Sequence, residues 1–259
     1  MELGIRGRKA IVCASSQGLG EACARALARE GVCVVVNGRD EDKLRATAEA
    51  IAADTGAEIT PVAADLNVQS ERDRLVAACP DADILVNNNA GPPPGDFLEM
   101  DHAQWLEALE ANLLAPAMMI RALLPGMRAR GFGRIVNVTS AMVKTPMGLM
   151  ALSTTARTGL TALCKSISKD AARDNVTINN LLPERIDTPR QEQMARFVVD
   201  RTGVSYEEAR RQQAASIAAG RLGLPGEFAD ACAFLCSAQA GYISGQNLQL
   251  DGGSYDGLI

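Results

Sequence analysis

The chain is poor in aromatic residues and in histidine, and this scarcity excludes several classes of function. Only 3% of its 259 residues are Phe, Trp or Tyr, and it contains one His. The formal net charge is −5. Because nucleic-acid binding needs a basic face, this composition argues against a nucleic-acid partner.

Paired metal-ligand motifs are also lacking. The seven Cys include no CxxC pair, and no His cluster stands near Cys232 and Cys236, whose spacing of four is helical. The sequence therefore predicts no metal site, and its cysteines are expected to be buried, reduced thiols. Reduced thiols, and the lack of an apolar signal core in the first ten residues, favour a cytoplasmic protein.

Long apolar runs are missing as well. The longest uncharged stretch, 231–250, is interrupted by six Ser, Gln and Asn side chains, so no membrane span is expected there. Overall, 47% of residues are hydrophobic and 22% are charged. These proportions and the length indicate a globular protein with a sizeable core.

Short β-rich apolar runs alternate with longer segments of helical periodicity. Several runs are almost continuously apolar, as in strands that are buried on both faces. Alternation of strand and helix predicts an α/β fold, a Rossmann-type doubly wound parallel sheet of about seven strands. The predicted strands are 9–14, 32–37, 59–64, 84–87, 134–139, 177–182 and 247–250.

The helical segments fit between these strands. They are 20–30, one that starts near Asp40, 103–130 and 152–173. Asp40 is a natural N-cap, with acidic residues in the turn that follows it. No linker divides the chain, so 1–259 is predicted to be one domain. Residues 184–220 interrupt the rhythm and are interpreted as a mobile helical lid over the strand ends.

Ligands of such sheets bind outside the carboxyl ends of the strands. The first strand is followed by a turn of small residues that opens a helix, where backbone N–H groups and the helix dipole can hold a phosphate. A tight turn without a ligand is the simpler alternative. The turn residues assigned to the cofactor are Ala14, Ser15, Ser16, Gly18, Leu19 and Gly20.

The tip of the second strand, with Asn37 and Arg39, indicates which dinucleotide is bound. An acidic residue at this tip would suit a ribose 2′-hydroxyl, whereas an Arg suits a 2′-phosphate. Because Asp40 is expected to cap a helix, Arg39 favours NADP over NAD; a solvated loop charge is the alternative. Asp65, just past the third strand, could accept a hydrogen bond from an adenine amino group.

Motifs along nearly the whole chain resemble the short-chain dehydrogenase/reductase superfamily, in particular its 3-oxoacyl-(acyl-carrier-protein) reductase-like members. These motifs are CASSQGLG at 13–20, AADLN at 63–67, DILVNNNAG at 83–91, GRIVNVTS at 133–140, NVTINNLLP at 175–183, GRLGLPGE at 220–227 and YISGQNLQLDGG at 242–253. The resemblance implies a nicotinamide cofactor and often a homotetramer. It adds further cofactor-binding residues, namely Leu66, Asn87, Asn89, Ala90, Gly91, Pro183, Ile186 and Thr188.

The Asn-Asn-Ala-Gly motif of the family can be placed in two ways. Counting back from Gly91 assigns its asparagines to Asn88 and Asn89, whereas counting forward along the strand assigns them to Asn87 and Asn88. The two placements differ by one residue, which reverses the face of each side chain. The second is preferred because it needs no insertion in a buried strand.

The chain departs from the family at several positions. Ala14 stands where the glycine motif begins with Gly, which either weakens cofactor affinity or only shifts the loop. Glu184 replaces a Gly in the stretch that resembles the family's PGxxxT. It should disfavour positive φ there and add a charge near the nicotinamide.

The largest departures fall on the catalytic residues. The family uses Asn, Ser, Tyr and Lys, with Tyr thirteen residues after Ser and Lys four after Tyr. Here Asn112 and Ser140 match the first two, whereas Ser153 and Arg157 stand at the last two positions. A Ser hydroxyl is a far weaker acid than a phenol, and Arg cannot relay a proton. Tyr-dependent carbonyl reduction is therefore expected to be impaired, although both hydroxyls could bind a substrate oxygen and Arg157 could hold ribose hydroxyls.

Other residues could contribute to this site. Lys144 and Tyr206 are candidate replacement acids, although solvated loop positions are the simpler interpretation. Pro116 lacks an N–H, so the carbonyl of Asn112 should lose its helical partner. The five arginines of the insertion could favour an acidic substrate or could line a solvated helix face: they are Arg190, Arg196, Arg201, Arg210 and Arg211.

Together these features predict an NADP-dependent oxidoreductase with an atypical proton-donating site. It would act on a small-molecule or carrier-bound carbonyl compound. The alternative is a dinucleotide-binding sensor or regulatory subunit without turnover.

Overall fold

A computed structural model describes residues 2–258. These residues form one parallel sheet in the order β3-β2-β1-β4-β5-β6-β7. The order reverses at β1, which pairs with β2 on one side and β4 on the other. This is the doubly wound architecture that the sequence predicts. The strands are β1 Lys9–Val12, β2 Cys33–Gly38, β3 Ile59–Ala63, β4 Ile84–Asn87, β5 Gly133–Val138, β6 Val176–Pro183 and β7 Asn247–Leu250.

Helices cover both faces of the sheet. Among them, α2 begins as the sequence predicts, because the Asp40 side chain accepts a hydrogen bond from the Lys43 amide at 3.0 Å. The helices are α1 Gly18–Arg29, α2 Glu41–Thr55, α3 Gln69–Ala78, α4 His102–Leu109, α5 Ala115–Ala129, α6 Ala151–Ala172, α7 Pro189–Thr202, α8 Tyr206–Ala215 and α9 Pro225–Cys236. The predicted helical insertion corresponds to α7 and α8.

The hydrophobic core has two halves, one on each face of the sheet. Along β1, Ala10 and Val12 join the half beneath α1, α2 and α9, whereas Ile11 and Cys13 join the half beneath α3, α5 and α6. Successive strand side chains point to opposite faces, so a strand that is covered on both sides must be apolar throughout. All seven Cys are free, and all except Cys33 are buried.

A π-helical turn, Glu110–Leu114, joins α4 to α5 in one long helix. Within the described chain, His102–Ala129 is the one helix that is long and apolar enough to cross a membrane, although half of that apolar stretch is buried inside the protein. α5 packs against β5 and α6. Its apolar face is therefore used in the core of this fold.

Candidate functional site

A cavity of about 560 Å³ opens at the carboxyl ends of the central strands. This volume lies within the roughly 300–1,000 Å³ range of ligand pockets. We refer to this cavity as the cleft. The sequence-predicted site residues that line it are Ala14, Ser16, Gly18, Leu19, Asn37, Arg39, Asp65, Leu66, Asn89, Ala90, Gly91, Ser140, Ser153, Arg157, Pro183, Ile186 and Thr188.

Four predicted site residues lie behind the wall of the cleft or beside it. The buried Ser15 hydroxyl donates to the Val12 carbonyl at 2.7 Å. Gly20 is a packing position, since a Cβ there would lie 2.3 Å from the Ala14 carbonyl oxygen. Asn87 and Asn112, described below, also lie outside the cleft.

The glycine turn begins with a backbone conformation that favours glycine. Ala14 has a φ of +45°, in the left-handed region that favours glycine. Its N–H donates to Asn37 Oδ1 at 3.1 Å, and its carbonyl accepts from Asn88 Nδ2 at 3.2 Å. α1 then begins at Gly18, and no side chain in the described residues caps it. Its first N–H groups are thus available to an anion at the base of the cleft.

The outer end of the cleft carries one prominent cation. The Arg39 side chain is 71% exposed, and its Nη1 lies 4.0 Å from Asp65 Oδ2. Asp65 Oδ1 accepts from the Asn67 amide at 2.9 Å, so its carboxylate also shapes the turn after β3. Because the contact with Asp65 is long, the Arg39 guanidinium is free to take a phosphate.

The inner end of the cleft brings Ser140, Ser153 and Arg157 together. Ser140 ends the loop after β5, and its Oγ accepts from the Met142 amide at 3.2 Å. Ser153 and Arg157 are one turn apart on α6, and Arg157 Nε donates to Ser153 Oγ at 3.2 Å. Spacing by four residues on a helix places both side chains on the same face.

Arg157 connects three elements around this end. Only 8% of it is exposed, and its Nη1 donates to the Val138 carbonyl at 2.7 Å. Its Nη2 reaches the Asn89 carbonyl at 3.5 Å. Burial, together with the smaller effect of the nearby Arg190 charge, lowers the pKa of Arg157 to about 10. The side chain nevertheless remains cationic at neutral pH.

The three asparagines at the end of β4 and directly after it have different roles. Asn87 Nδ2 donates to Asn137 Oδ1 of β5 at 2.9 Å and to the Pro116 carbonyl of α5 at 3.3 Å. Asn88 holds the Ala14 carbonyl, and Asn89 points toward the long helix. β4 pairs with β5 in continuous register through Asn87, without a bulge. This agrees with the strand-anchored placement of the motif, and cofactor contact by Asn87 stays a prediction.

Asn112 lies in the π-helical turn rather than in the cleft. It lines two adjoining cavities, of about 20 and 220 Å³. Its Nδ2 donates to the Ala90 carbonyl at 3.3 Å, whereas its buried Oδ1 has no partner among the described residues. This amide oxygen is open to a hydrogen-bond donor entering from the cavity.

The π-helical turn also changes which backbone carbonyl lacks an N–H partner within the helix. The Ala115 amide donates to Glu110, five residues back, and the corresponding donor to Ala111 would be Pro116, which has no N–H. The Ala111 carbonyl instead accepts from Asn89 Nδ2 at 3.1 Å. The sequence correctly indicated a disturbed helix at Pro116, but the carbonyl captured by a side chain is that of Ala111, not that of Asn112.

The candidate replacement acids do not reach the cleft. Lys144 Nζ lies 5.1 Å from the centre of the Tyr255 ring, and Tyr206 stacks beneath Arg196. Glu184 does line the cleft, and burial is the main cause of its raised pKa. The expected backbone effect at Glu184 falls one residue later, since Arg185 has the positive φ, +50°.

Arg190 is a site residue that sequence reasoning undervalued. It lines the cleft, and its Nη2 donates to the Pro92 carbonyl at 2.8 Å. The residue is half-buried, so its side chain does not lie on a fully solvated face, and burial lowers its pKa. The sequence did contain a signal for this position. Arg190 comes two residues after the predicted cofactor ligand Thr188, and Pro189 starts α7 directly at the cleft.

Comparisons with known proteins agree with this geometry. A family profile described as Enoyl-(Acyl carrier protein) reductase matches residues 13–255. The chain is 32% identical to the 3-oxoacyl-[acyl-carrier-protein] reductase FabG of Aquifex aeolicus, over 98% of this chain and 100% of that protein.

Two solved structures are also similar. L-sorbose reductase from Gluconobacter frateurii, complexed with NADPH and L-sorbose, has a TM-score of 0.94 and 29% identity, with 100% of both chains covered. A 3-oxoacyl (acyl-carrier-protein) reductase from Agrobacterium tumefaciens with NADP bound has a TM-score of 0.87 and 29% identity, covering 97% of this chain and 96% of that one.

Proposed function

The chain belongs to the short-chain dehydrogenase/reductase superfamily, and we propose that it is an NADP-dependent oxidoreductase that interconverts a carbonyl compound and its alcohol. The single observation that carries this proposal is the arrangement of the cleft. One end has the uncapped first turn of α1 and Arg39, which can bind phosphates, and the other end has the hydroxyls of Ser140 and Ser153 beside the Arg157 guanidinium. Two similar structures hold NADPH or NADP. We further propose a homotetramer in the cytoplasm.

The residues of the cleft fit a dinucleotide phosphate. Gly38 leaves room at the tip of β2, where a Cβ would lie 3.0 Å from the Ser16 side chain. The open first turn of α1 would hold the pyrophosphate, and Arg39 the 2′-phosphate. When bound, the cofactor supplies a hydride to the substrate carbonyl carbon or accepts one from the alcohol.

The chain's own groups bind and polarise the substrate oxygen. The Ser140 and Ser153 hydroxyls each accept a hydrogen bond from the protein, so their protons are left to donate to that oxygen. The Arg157 cation beside them stabilises negative charge that develops there. We propose that Ser153 and Arg157 occupy the places of the family's Tyr and Lys. A strong proton donor is then missing from these places, and turnover should be slow.

Binding and turnover test the proposal separately. We expect NADPH to raise the melting temperature of the protein, and a panel of carbonyl compounds to consume NADPH slowly. Trp105, the only Trp, gives a second binding signal by fluorescence. Binding without turnover of any substrate would favour a sensor or regulatory subunit instead. Absence of NADPH binding would overturn the proposal.

Restoring the family residues tests the atypical site. Ser153→Tyr combined with Arg157→Lys should raise carbonyl reduction by about 10²–10⁴-fold, the usual effect of general acid catalysis. Thr154→Tyr with Arg157→Lys is the matched control, because it places the phenol one residue further along α6, on a different face. Equal activities of the two variants, with NADPH binding retained, would contradict the assignment.

Arg39 can be tested through coenzyme preference. Arg39→Asp removes a charge-assisted contact to the 2′-phosphate, so the preference for NADPH over NADH should fall by about tenfold or more. Arg45→Asp, on the exposed side of α2, is the control for altered net charge. An unchanged ratio of the two dissociation constants would exclude Arg39 as the phosphate ligand.

A further inference from the structure

The inner end of the cleft holds two guanidinium groups close together, that of the buried Arg157 and that of the half-buried Arg190. A Cβ built on Gly91 would lie 3.5 Å from Arg157 Nη2, 3.8 Å from Arg190 Nη2 and 3.9 Å from Ser153 Oγ. These distances from one point place both cations beside the Ser153 hydroxyl. Arg157 comes from α6 and Arg190 from α7, so the pair exists only in the folded chain.

Neither cation has an acidic partner in the part of the chain that the structure describes. The hydrogen bonds of Arg157 end on Ser153 and on the carbonyls of Val138 and Asn89. That of Arg190 ends on the Pro92 carbonyl. A neighbouring acidic residue, Asp187, is engaged elsewhere by Arg210.

Such an arrangement is unfavourable unless an anion joins it. Buried charges in proteins are normally paired, and two like charges held near each other raise the cost of burial. Burial lowers the pKa of both arginines, because desolvation disfavours their charged forms. A guanidinium has five N–H donors, so both side chains keep donors for a ligand.

The position of the pair separates it from the phosphate end of the cleft. A Cβ on Gly18, at the start of α1, would meet Thr188 at 3.7 Å and Pro189 at 4.0 Å. The pyrophosphate site thus lies against the beginning of α7. Arg190 is the next residue of α7, and its guanidinium lies toward Gly91 instead, beside Ser153, where the proposed reaction takes place.

We propose that Arg190 and Arg157 form a carboxylate subsite, and that the substrate is an anionic carbonyl compound such as a 2-oxo acid or the corresponding hydroxy acid. This deepens the proposed function and rests on it, because it names the substrate class of the same cleft. A carboxylate in the subsite would place the adjacent carbonyl oxygen beside Ser153. Planar carboxylates match the forked donors of arginine.

The test uses a dead-end complex. The protein saturated with NADP⁺ is titrated with 2-oxobutanoate, which cannot be reduced by the oxidised cofactor, and with its methyl ester. We expect the acid to bind at least about tenfold more tightly than the ester, because the ester lacks the charge. Calorimetry or Trp105 fluorescence reports both affinities.

Variants assign the effect to Arg190. Arg190→Gln should weaken binding of the acid by about tenfold or more, without changing that of the ester, and Arg190→Lys should restore part of it. Arg201→Gln, an exposed arginine of the same helix, is the control and should change neither. The affinity for NADP⁺ alone should stay within about twofold in all three variants.

The outcomes separate the subsite from the proposed function. Equal binding of acid and ester, or a loss of NADP⁺ affinity in Arg190→Gln as large as the loss for the acid, would overturn the subsite and leave NADP-dependent chemistry standing. Failure of NADP⁺ to bind at all would overturn the proposed function. The acid and the ester would then be compared on the cofactor-free protein, where selective binding through Arg190 would still support the subsite.

Discussion

Ala14 holds a backbone conformation that its side chain disfavours. A left-handed φ costs an L-residue about 1–2 kcal/mol, and this φ is +45°. The conformation persists because Asn37 and Asn88 bind the amide and the carbonyl of the residue. The methyl group therefore strains the turn without displacing it.

Ala14→Gly should stabilise the protein by up to about 1 kcal/mol, since relief of strain exceeds the entropy that Gly adds to the unfolded chain. The midpoint of urea unfolding measures the change. Ala10→Gly, four residues earlier in the buried part of β1, should instead destabilise by about 1 kcal/mol. A loss of stability in both variants would show that Ala14 is not strained.

Glu184 makes the stability of the folded protein depend on pH. Burial raises the pKa of this carboxyl above its ordinary value of 4.5 in the folded state, so the folded protein binds more protons than the unfolded chain between the two values. The stability that Glu184 contributes is present at lower pH and is lost as pH rises through the folded pKa.

Glu184→Gln should therefore raise the melting temperature more at about pH 7 than at about pH 4. Thermal unfolding of both proteins across this interval measures the difference. Glu192→Gln, at an exposed position in the first turn of α7, is the control and should lack this trend. A stabilisation by Glu184→Gln that does not vary with pH would contradict the burial of the Glu184 charge.

At the scale of the secondary-structure element, the long helix shows how one proline and one asparagine shape a site together. Pro116 cannot supply the N–H that the π-helical pattern requires, and Asn89 supplies a side-chain amide to the buried Ala111 carbonyl instead. The loop after β4 is thereby attached to the helix beside the cleft.

The two residues should be energetically coupled. Asn89→Ala leaves the Ala111 carbonyl without a donor and should destabilise by about 1–3 kcal/mol. In the background Pro116→Ala, which provides a new N–H, the same change should have an effect about 1 kcal/mol smaller. Urea unfolding of the four proteins measures this coupling. Strict additivity would mean that residue 116 does not replace Asn89.

At the scale of the whole molecule, exposed apolar residues mark surfaces suited to association between copies. Leu106, Leu114 and Met118 are exposed along the long helix, and Phe234 and Leu248 are exposed on α9 and the edge strand β7. Contiguous exposed apolar surface is typical of interaction sites. Exposed apolar residues on these elements are compatible with the proposed tetramer.

Light scattering should give a mass four times that of the 27.3 kDa chain. Leu106→Glu with Met118→Glu should convert the tetramer to a smaller species, because charge is depleted at interface cores. Val68→Glu, an exposed apolar residue at the start of α3, is the control. A monomeric mass for the unaltered chain would exclude the tetramer.

Local patterns in the sequence were sufficient for the architecture and for most of the cleft. A strand that is covered on both faces is apolar at nearly every position, and many helices start after a capping residue, so both can be recognised within a few neighbours along the chain. The spacing of Ser153 and Arg157 on one helix likewise placed both side chains on the same face. Asp40 could be assigned as the N-cap of α2 because acidic residues follow it in the first turn.

Other features depended on contacts between segments that are distant in sequence. The Asn87 amide is held by Asn137, fifty residues away, which accepts its hydrogen bond, and the Ala111 carbonyl is bound by Asn89, 22 residues away. Arg190 is drawn out of solvent by Pro92, which lies 98 residues earlier. The direction of a side chain at the end of a strand or helix is set by whichever neighbour the fold brings within hydrogen-bonding distance. The hydrophobic periodicity of the sequence contains no information about which partner that is.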